Sequence, residues 1–397
     1  MIALRYGRFY LSCLAAFTGG HMINYGVIMY AQDAIGSDLL SGIGFGLCFG
    51  PPIVLGWYAG VLCDRLAPGR LIHAAQALFV LAALLLWAGH VLLPDASQRV
   101  APLVLAAALA GVGWSFVAPA RMATLGQIAS SADLKPASVL FNLLVMVGFG
   151  LGPVLIAIMR RGFGWPGVFG CAALLFVLSS IALLGVRTRA SARPHAPVWT
   201  EIREGVNAVI AQPLLLQLMV AAMAGYLAMG PMSVLLPRLA SAQLALGELG
   251  RGAFLGTLAL ALIAGGVAAL ASAHRLHNGR LVFGATVLAG CALAALGSMT
   301  EVGPAVALLC VVGIAGGLAL SLIVAGIQLQ AGDAMRGRIL SMYTIISQVV
   351  PAASGVAAGA LTQAFGVGTA LRSCGAVLVA AMLVNAVWMK ALRGYRG

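Results

Sequence analysis

The sequence predicts an all-α integral membrane protein, with twelve transmembrane helices in two pseudo-symmetric six-helix bundles. Three observations predict it. Of 397 residues, 62% are hydrophobic and 8% charged, with a mean hydropathy of +1.04, which leaves too little charge to cover a water-facing surface. Apolar windows of bilayer-crossing length follow one another from end to end. One basic loop pattern occurs in each half of the chain at the same place in the order of windows.

A crossing needs about 20 apolar residues. Windows of that size fall at 9–32, 39–62, 71–93, 101–122, 137–159 and 164–186, then at 213–236, 251–273, 281–299, 303–326, 338–361 and 368–391. Gly36, Pro94, Gly162 and Pro304 mark joins between them. Arg5 and Arg8 precede the first window in the manner of a signal peptide, but the apolar run continues to Tyr30 and is long enough to span, so it reads as an uncleaved helix. The domains are therefore 1–186, a linker at 187–212, and 213–397. The linker opens with a basic stretch. It ends in TEIREGVNAVIAQ, where Ile202, Val206, Val209 and Ile210 share one face, as in a short helix lying on the inner membrane surface.

The net charge of +13 does not indicate nucleic acid, because the basic residues are scattered through loops with no interleaved aromatics. Sorted by alternate loops, the 23 Lys and Arg divide seventeen to six, which places both termini in the cytoplasm. Seven cysteines stand singly, with no metal-ligand spacing, and read as packing residues. No phosphate-binding G-x-x-x-x-G-K-[ST] loop and no hydrolase motif occurs, so no nucleotide, metal or other cofactor is expected, and an ion or solute gradient must supply the energy.

The repeated loop reads GVLCDRLAPGRLI after window two and LASAHRLHNGRLV after window eight; Arg65, Gly69 and Arg70 recur as Arg275, Gly279 and Arg280. With Gly60 and Asp64 this resembles the signature of the major facilitator superfamily, G-x-L-x-D-R-x-G-R, with Ala67 and Pro68 widening its spacing. The resemblance implies a secondary transporter in which Gly60, Asp64, Arg65, Gly69, Arg70, Arg275 and Arg280 form a conformational latch. The stretches 119–142 and 328–344 look like inner loops of the branch containing the enterobactin (siderophore) exporter, which implies export of siderophores or amphipathic drugs. Gly148, Gly152 and Pro153 are similar to the G-x-x-x-G-P hinge of antiporter members, although Ala157 stands where that family's next glycine often falls.

No Asp, Glu, Lys or Arg lies near the middle of a window. His21, midway along the first, is the leading candidate for proton coupling; a histidine hydrogen-bonded between helices is the alternative. Asp33 and Asp38 are the secondary candidates. Asn24 and Tyr25 share the face of His21. Trp114, Ser115, Asn142, Gln217, Tyr226 and Gln328 complete the candidate lining of a substrate cavity. Arg121 reads as a helix-end cation facing lipid phosphates or attracting an anionic solute. The expected protein is a monomeric, proton-coupled exporter in a bacterial inner membrane, moving a small amphipathic molecule such as a siderophore. A multidrug efflux transporter, an importer of the same fold and a non-transporting sensor are the alternatives.

Overall fold

The computed structural model describes residues 6–130, 133–190, 198–272, 278–331 and 335–395, and those residues are helical with short connections. The first crossing is α1, Gly7–Tyr30, which continues through a π-helical turn at Ala31–Ile35 and stops at Gly36. Gly36 takes φ 81°, the left-handed conformation that ends helices and that a side chain disfavours. Ser37 then caps the next helix by accepting a hydrogen bond from Leu40 N at 3.1 Å.

The second crossing, expected as one helix over 39–62, is two: α2 at Asp38–Phe49 and α3 at Pro52–Arg65. Pro51 and Pro52 offer no backbone N–H, and the first turn of a new helix is where that loss costs least. Next come α4 at Pro68–Leu92 and α5 at Val100–Ile128. The fifth and sixth crossings form one 50-residue run, α6 at Leu134–Leu183, bent sharply at Gly164 (φ 63°, ψ −162°), two residues beyond the expected join.

The linker helix α7 is Val198–Ala211. Val209 is buried and Ile202 and Val206 half-buried, but Ile210 is 60% exposed, so the apolar face is narrower than expected. Gly205 lies beside Met342 and Arg338, and Arg338 pairs with Glu204, so α7 rests on a neighbouring helix. The seventh crossing is again interrupted, as α8 at Pro213–Tyr226 and α9 at Met229–Arg238. It is followed by α10 at Glu248–Ser272, α11 at Asn278–Leu296, α12 at Val302–Gln330, α13 at Arg336–Phe365, α14 at Val367–Trp388 and a short α15 at Lys390–Arg393.

Among the described residues ten helical stretches are long and apolar enough to cross a membrane. One of them, Ala137–Leu183, has 47 residues and makes two crossings across the Gly164 bend; with α1 the total is twelve. The outer surface is greasy: Leu92, Leu260, Leu270 and Trp388 are each at least 70% exposed, which is tolerable only in lipid.

The chain divides into two compact units, 1–195 with 247–256, and 196–246 with 257–397. The first unit has an aromatic interior, with Phe79 stacked on Phe176 at 4.5 Å and Phe17 edge-on to Phe141 at 5.3 Å. The second is filled by aliphatic side chains such as Leu215, Leu218, Ile323 and Ile327.

Candidate functional site

The first unit carries a polar stripe along α1. His21 and Asn24 are buried, and Thr18 stands one turn before His21 on the same face. Trp114 Nε1 donates to Asn24 Oδ1 at 3.0 Å, and the Trp114 ring packs against Gly20. The His21 ring meets Phe149 edge-on at 5.2 Å and lies 5.5 Å from Trp114, while Tyr25 lies 5.7 Å from Phe149. Thr18 Oγ1, His21 Nε2 and Asn24 Nδ2 are buried with no hydrogen-bond partner among the described residues. Each such atom costs about 1–3 kcal/mol, so three in a row mark a place that something else must satisfy.

The glycines of the fifth crossing hold this stripe in place. A Cβ at Gly148 would lie 2.7 Å from Phe17 Cβ, and one at Gly152 would lie 3.0 Å from His21 Cβ, so α1 and α6 touch along bare backbone. The opposite side of α6 receives the first turns of α10: Gly252 faces Ala157 and the Pro153 carbonyl, and Gly256 faces Val154. The room that a glycine at 157 would leave is supplied by Gly252 instead.

Arg121 is not at a lipid interface. Its side chain is wholly buried, with Nη1 donating to Ser12 Oγ at 3.1 Å and Cys13 Sγ at 3.2 Å, and Nη2 to Ser179 Oγ at 3.0 Å. Gln76 Nε2 donates to Ser179 Oγ at 2.9 Å, and Ser180 donates to Gln76 Oε1. Neutral hydroxyls therefore surround a buried guanidinium. Nothing in the sequence pattern signals this cage, because Ser12, Gln76 and Ser179 are ordinary small or polar residues in separate windows.

Asp33 sits in a cluster of charged side chains. Its carboxylate accepts from Arg160 at 2.5 Å and Arg251 at 2.8 Å, and Glu248 lies 3.3 Å from Arg160 and 3.8 Å from Arg251. The Arg160 guanidinium lies over the Trp165 ring at 4.5 Å. The four charged groups form an alternating cluster that fixes the first turn of α10 to α1 and α6 within the first unit. Asp38, buried in the first turn of α2, is placed to favour that helix electrostatically.

The remaining candidates scatter. Ser115 bonds back to Gly111 O at 3.0 Å within its own helix. Asn142 and Gln328 are exposed. Gln217 does not line a cavity: its Oε1 accepts from Leu392 N at 2.8 Å and anchors α15. The Tyr226 and Tyr343 hydroxyls share a 2.6 Å hydrogen bond in the second unit.

Of the latch residues, the surroundings of Gly60, the side chain of Asp64 and the whole of Arg275 lie outside what the structure describes, while Arg65, Arg70 and Arg280 are exposed. The repeated glycines do something else that is visible. Gly69 N donates to Thr188 Oγ1 at 3.0 Å, just after the sixth crossing, and Gly279 N donates to Tyr395 O at 3.1 Å, just after the twelfth. In each half the start of the third crossing is tied to the segment leaving the last one.

The sequence matches the Major Facilitator Superfamily over residues 9–354. The chain belongs to that superfamily. No curated protein sequence matches it. Among solved structures, a POT family transporter in complex with 5-aminolevulinic acid aligns with TM-score 0.78 at 14% identity, covering 97% of this chain and 96% of that one. The peptide transporter POT in complex with sulfate aligns with TM-score 0.73 at 16% identity, covering 100% and 96%. A mutant of the nucleoside transporter NupG aligns with TM-score 0.74 at 11% identity, covering 99% and 100%. These likenesses are of fold. A multi-pass Major Facilitator protein of this architecture is a secondary transporter and not an enzyme.

Proposed function

We propose that this chain is a proton-coupled exporter that moves a small amphipathic molecule, a siderophore-like chelator first among them, out of a bacterial cytoplasm. It works as a monomer in the inner membrane with both termini inside. The observation that carries the reading is the α1 stripe: Thr18, His21 and Asn24 present buried, unpartnered polar atoms beside Trp114 and Phe149. A histidine ring nitrogen left without a partner can accept a proton or a solute's hydrogen bond, and the adjoining aromatic faces suit an apolar part of a solute. Gly148 and Gly152 seat the stripe directly on the antiporter-like stretch, so a change at His21 is felt beside Pro153, where the fifth crossing lacks a backbone N–H.

The Asp33–Arg160–Glu248–Arg251 cluster acts in this scheme as an outer closure that holds the start of α10 against α1 and α6. The aromatic wall alone also favours multidrug efflux, with cargo selected by shape and hydrophobicity.

Proteoliposomes loaded with a catecholate chelator or a lipophilic dye, under an imposed pH gradient, test both readings. Wild type is expected to couple solute movement to proton movement. His21→Ala is expected to abolish gradient-driven exchange while solute binding persists. Unchanged exchange in that variant removes His21 from the mechanism. Solute movement with the proton, rather than against it, makes the protein an importer, and binding without any movement makes it a sensor.

A further inference from the structure

Between α4 and the second part of α6, on the lipid-facing side of the first unit, lies an open groove of about 390 Å³. Its walls are apolar: Val177 is 43% exposed and Ile181 54% exposed. Its floor is not. His73, Gln76 and Ser180 line it, and Gln76 is only 1% exposed, held by Ser179 and Ser180. Through Ser179 the floor is one hydroxyl away from the buried Arg121 guanidinium, which biases the groove towards negative charge.

The rim is basic. Arg8 donates to the carbonyl of Leu184, itself a groove residue, at 3.3 Å. Arg70 stands one turn before His73 on the same face of α4. The Thr188 bond to Gly69 lays Arg187 and Arg189 against the start of α4, and Gln127 fixes Arg189 through both its backbone N and O at 2.9 and 2.8 Å. All four arginines are exposed, and none forms an ion pair among the described residues. A hydrocarbon-facing slot with a polar floor and a cationic rim matches an amphiphile whose chain lies in the slot and whose phosphate meets the arginines.

We propose that this groove is a binding site for an anionic phospholipid, seated with an acyl chain between Val177, Ile181 and Val80 and its headgroup phosphate among Arg8, Arg70, Arg187 and Arg189. The inner leaflet is the source under the orientation proposed above; the site's preference for anionic lipid does not depend on that orientation or on any transport activity.

The test uses the purified full-length protein reconstituted with phosphatidylglycerol and phosphatidylcholine in equal amounts in both leaflets, followed by quantification of the lipid retained after delipidating washes. Phosphatidylglycerol is expected to be retained at least about fivefold over phosphatidylcholine. Arg187→Gln/Arg189→Gln, at exposed loop positions, is expected to bring the ratio near one. Ala77→Trp, which fills the groove, is expected to lower retention of both lipids. Equal retention by the wild type, a preference undiminished in Arg187→Gln/Arg189→Gln, or retention unchanged in Ala77→Trp overturns the proposal.

Discussion

The two halves share a loop signature and a number of crossings, yet their interiors differ in kind. Of the buried polar and charged side chains among the described residues, only Ser233, Asn278, Thr286 and Thr362 belong to the second unit, and Thr286 and Thr362 bond to carbonyls of their own helices. The first unit buries a guanidinium cage, the α1 stripe and much of a charged cluster. Duplication has thus preserved the scaffold while polar chemistry collected on one side. A buried polar group in a membrane is costly unless used, and the uneven distribution accords with the proposal above that the α1 stripe handles solute and proton.

The largest expected effect that separates the halves is at Arg121. Ser12→Val/Ser179→Val leaves a buried guanidinium without its hydroxyls and should destabilise the protein by about 3–5 kcal/mol, read as lost monodispersity and a lower unfolding midpoint in detergent. Ser233→Val in the second unit should change that midpoint far less. If the two variants are equally stable, the contrast between the interiors has no energetic meaning.

Next in size is the helix contact beneath the stripe. Gly152→Val drives side-chain atoms into α1 and should cost about 1–3 kcal/mol and abolish exchange. Gly284→Ala, at a helical position with open space around it, should be neutral or slightly stabilising. Arg251→Gln should loosen the start of α10 and raise the labelling rate of a cysteine introduced at Leu249 several-fold, with folding intact; an unchanged rate would argue that the charged cluster closes nothing. A smaller loss belongs to the second unit, where Tyr343→Phe removes one hydrogen bond to Tyr226 and should cost about 1 kcal/mol.

Hydropathy alone locates the crossings, because bilayer thickness sets their length whatever they pack against. Hydropathy does not show the breaks at Pro51 and between Tyr226 and Met229, since both halves of each interrupted helix remain apolar; the Pro51-Pro52 pair carries the signal for the first. Burial of His21 and Asn24 follows from their position in α1. The environment of Arg121 does not: a cation near the end of an apolar window looks the same whether it faces phosphate or Ser12 and Ser179, which lie 109 and 58 residues away. Asp33 escapes the sequence for the same reason, its partners Arg160 and Arg251 being 127 and 218 residues distant. Long-range pairing of isolated charges is set by how helices assemble, and no spacing in the chain records it.

The ties at Gly69 and Gly279 bear on how a six-crossing ancestor could have lived alone. A polypeptide that hooks its own tail beneath the start of its third helix is already fastened, and joining two copies asks only for a leash between them. A bulkier residue at Gly279 has nowhere to go, because the Leu392 carbonyl occupies the place of its side chain. Severing the chain within 191–197 should accordingly leave two pieces that each insert and hold their helices together when expressed apart.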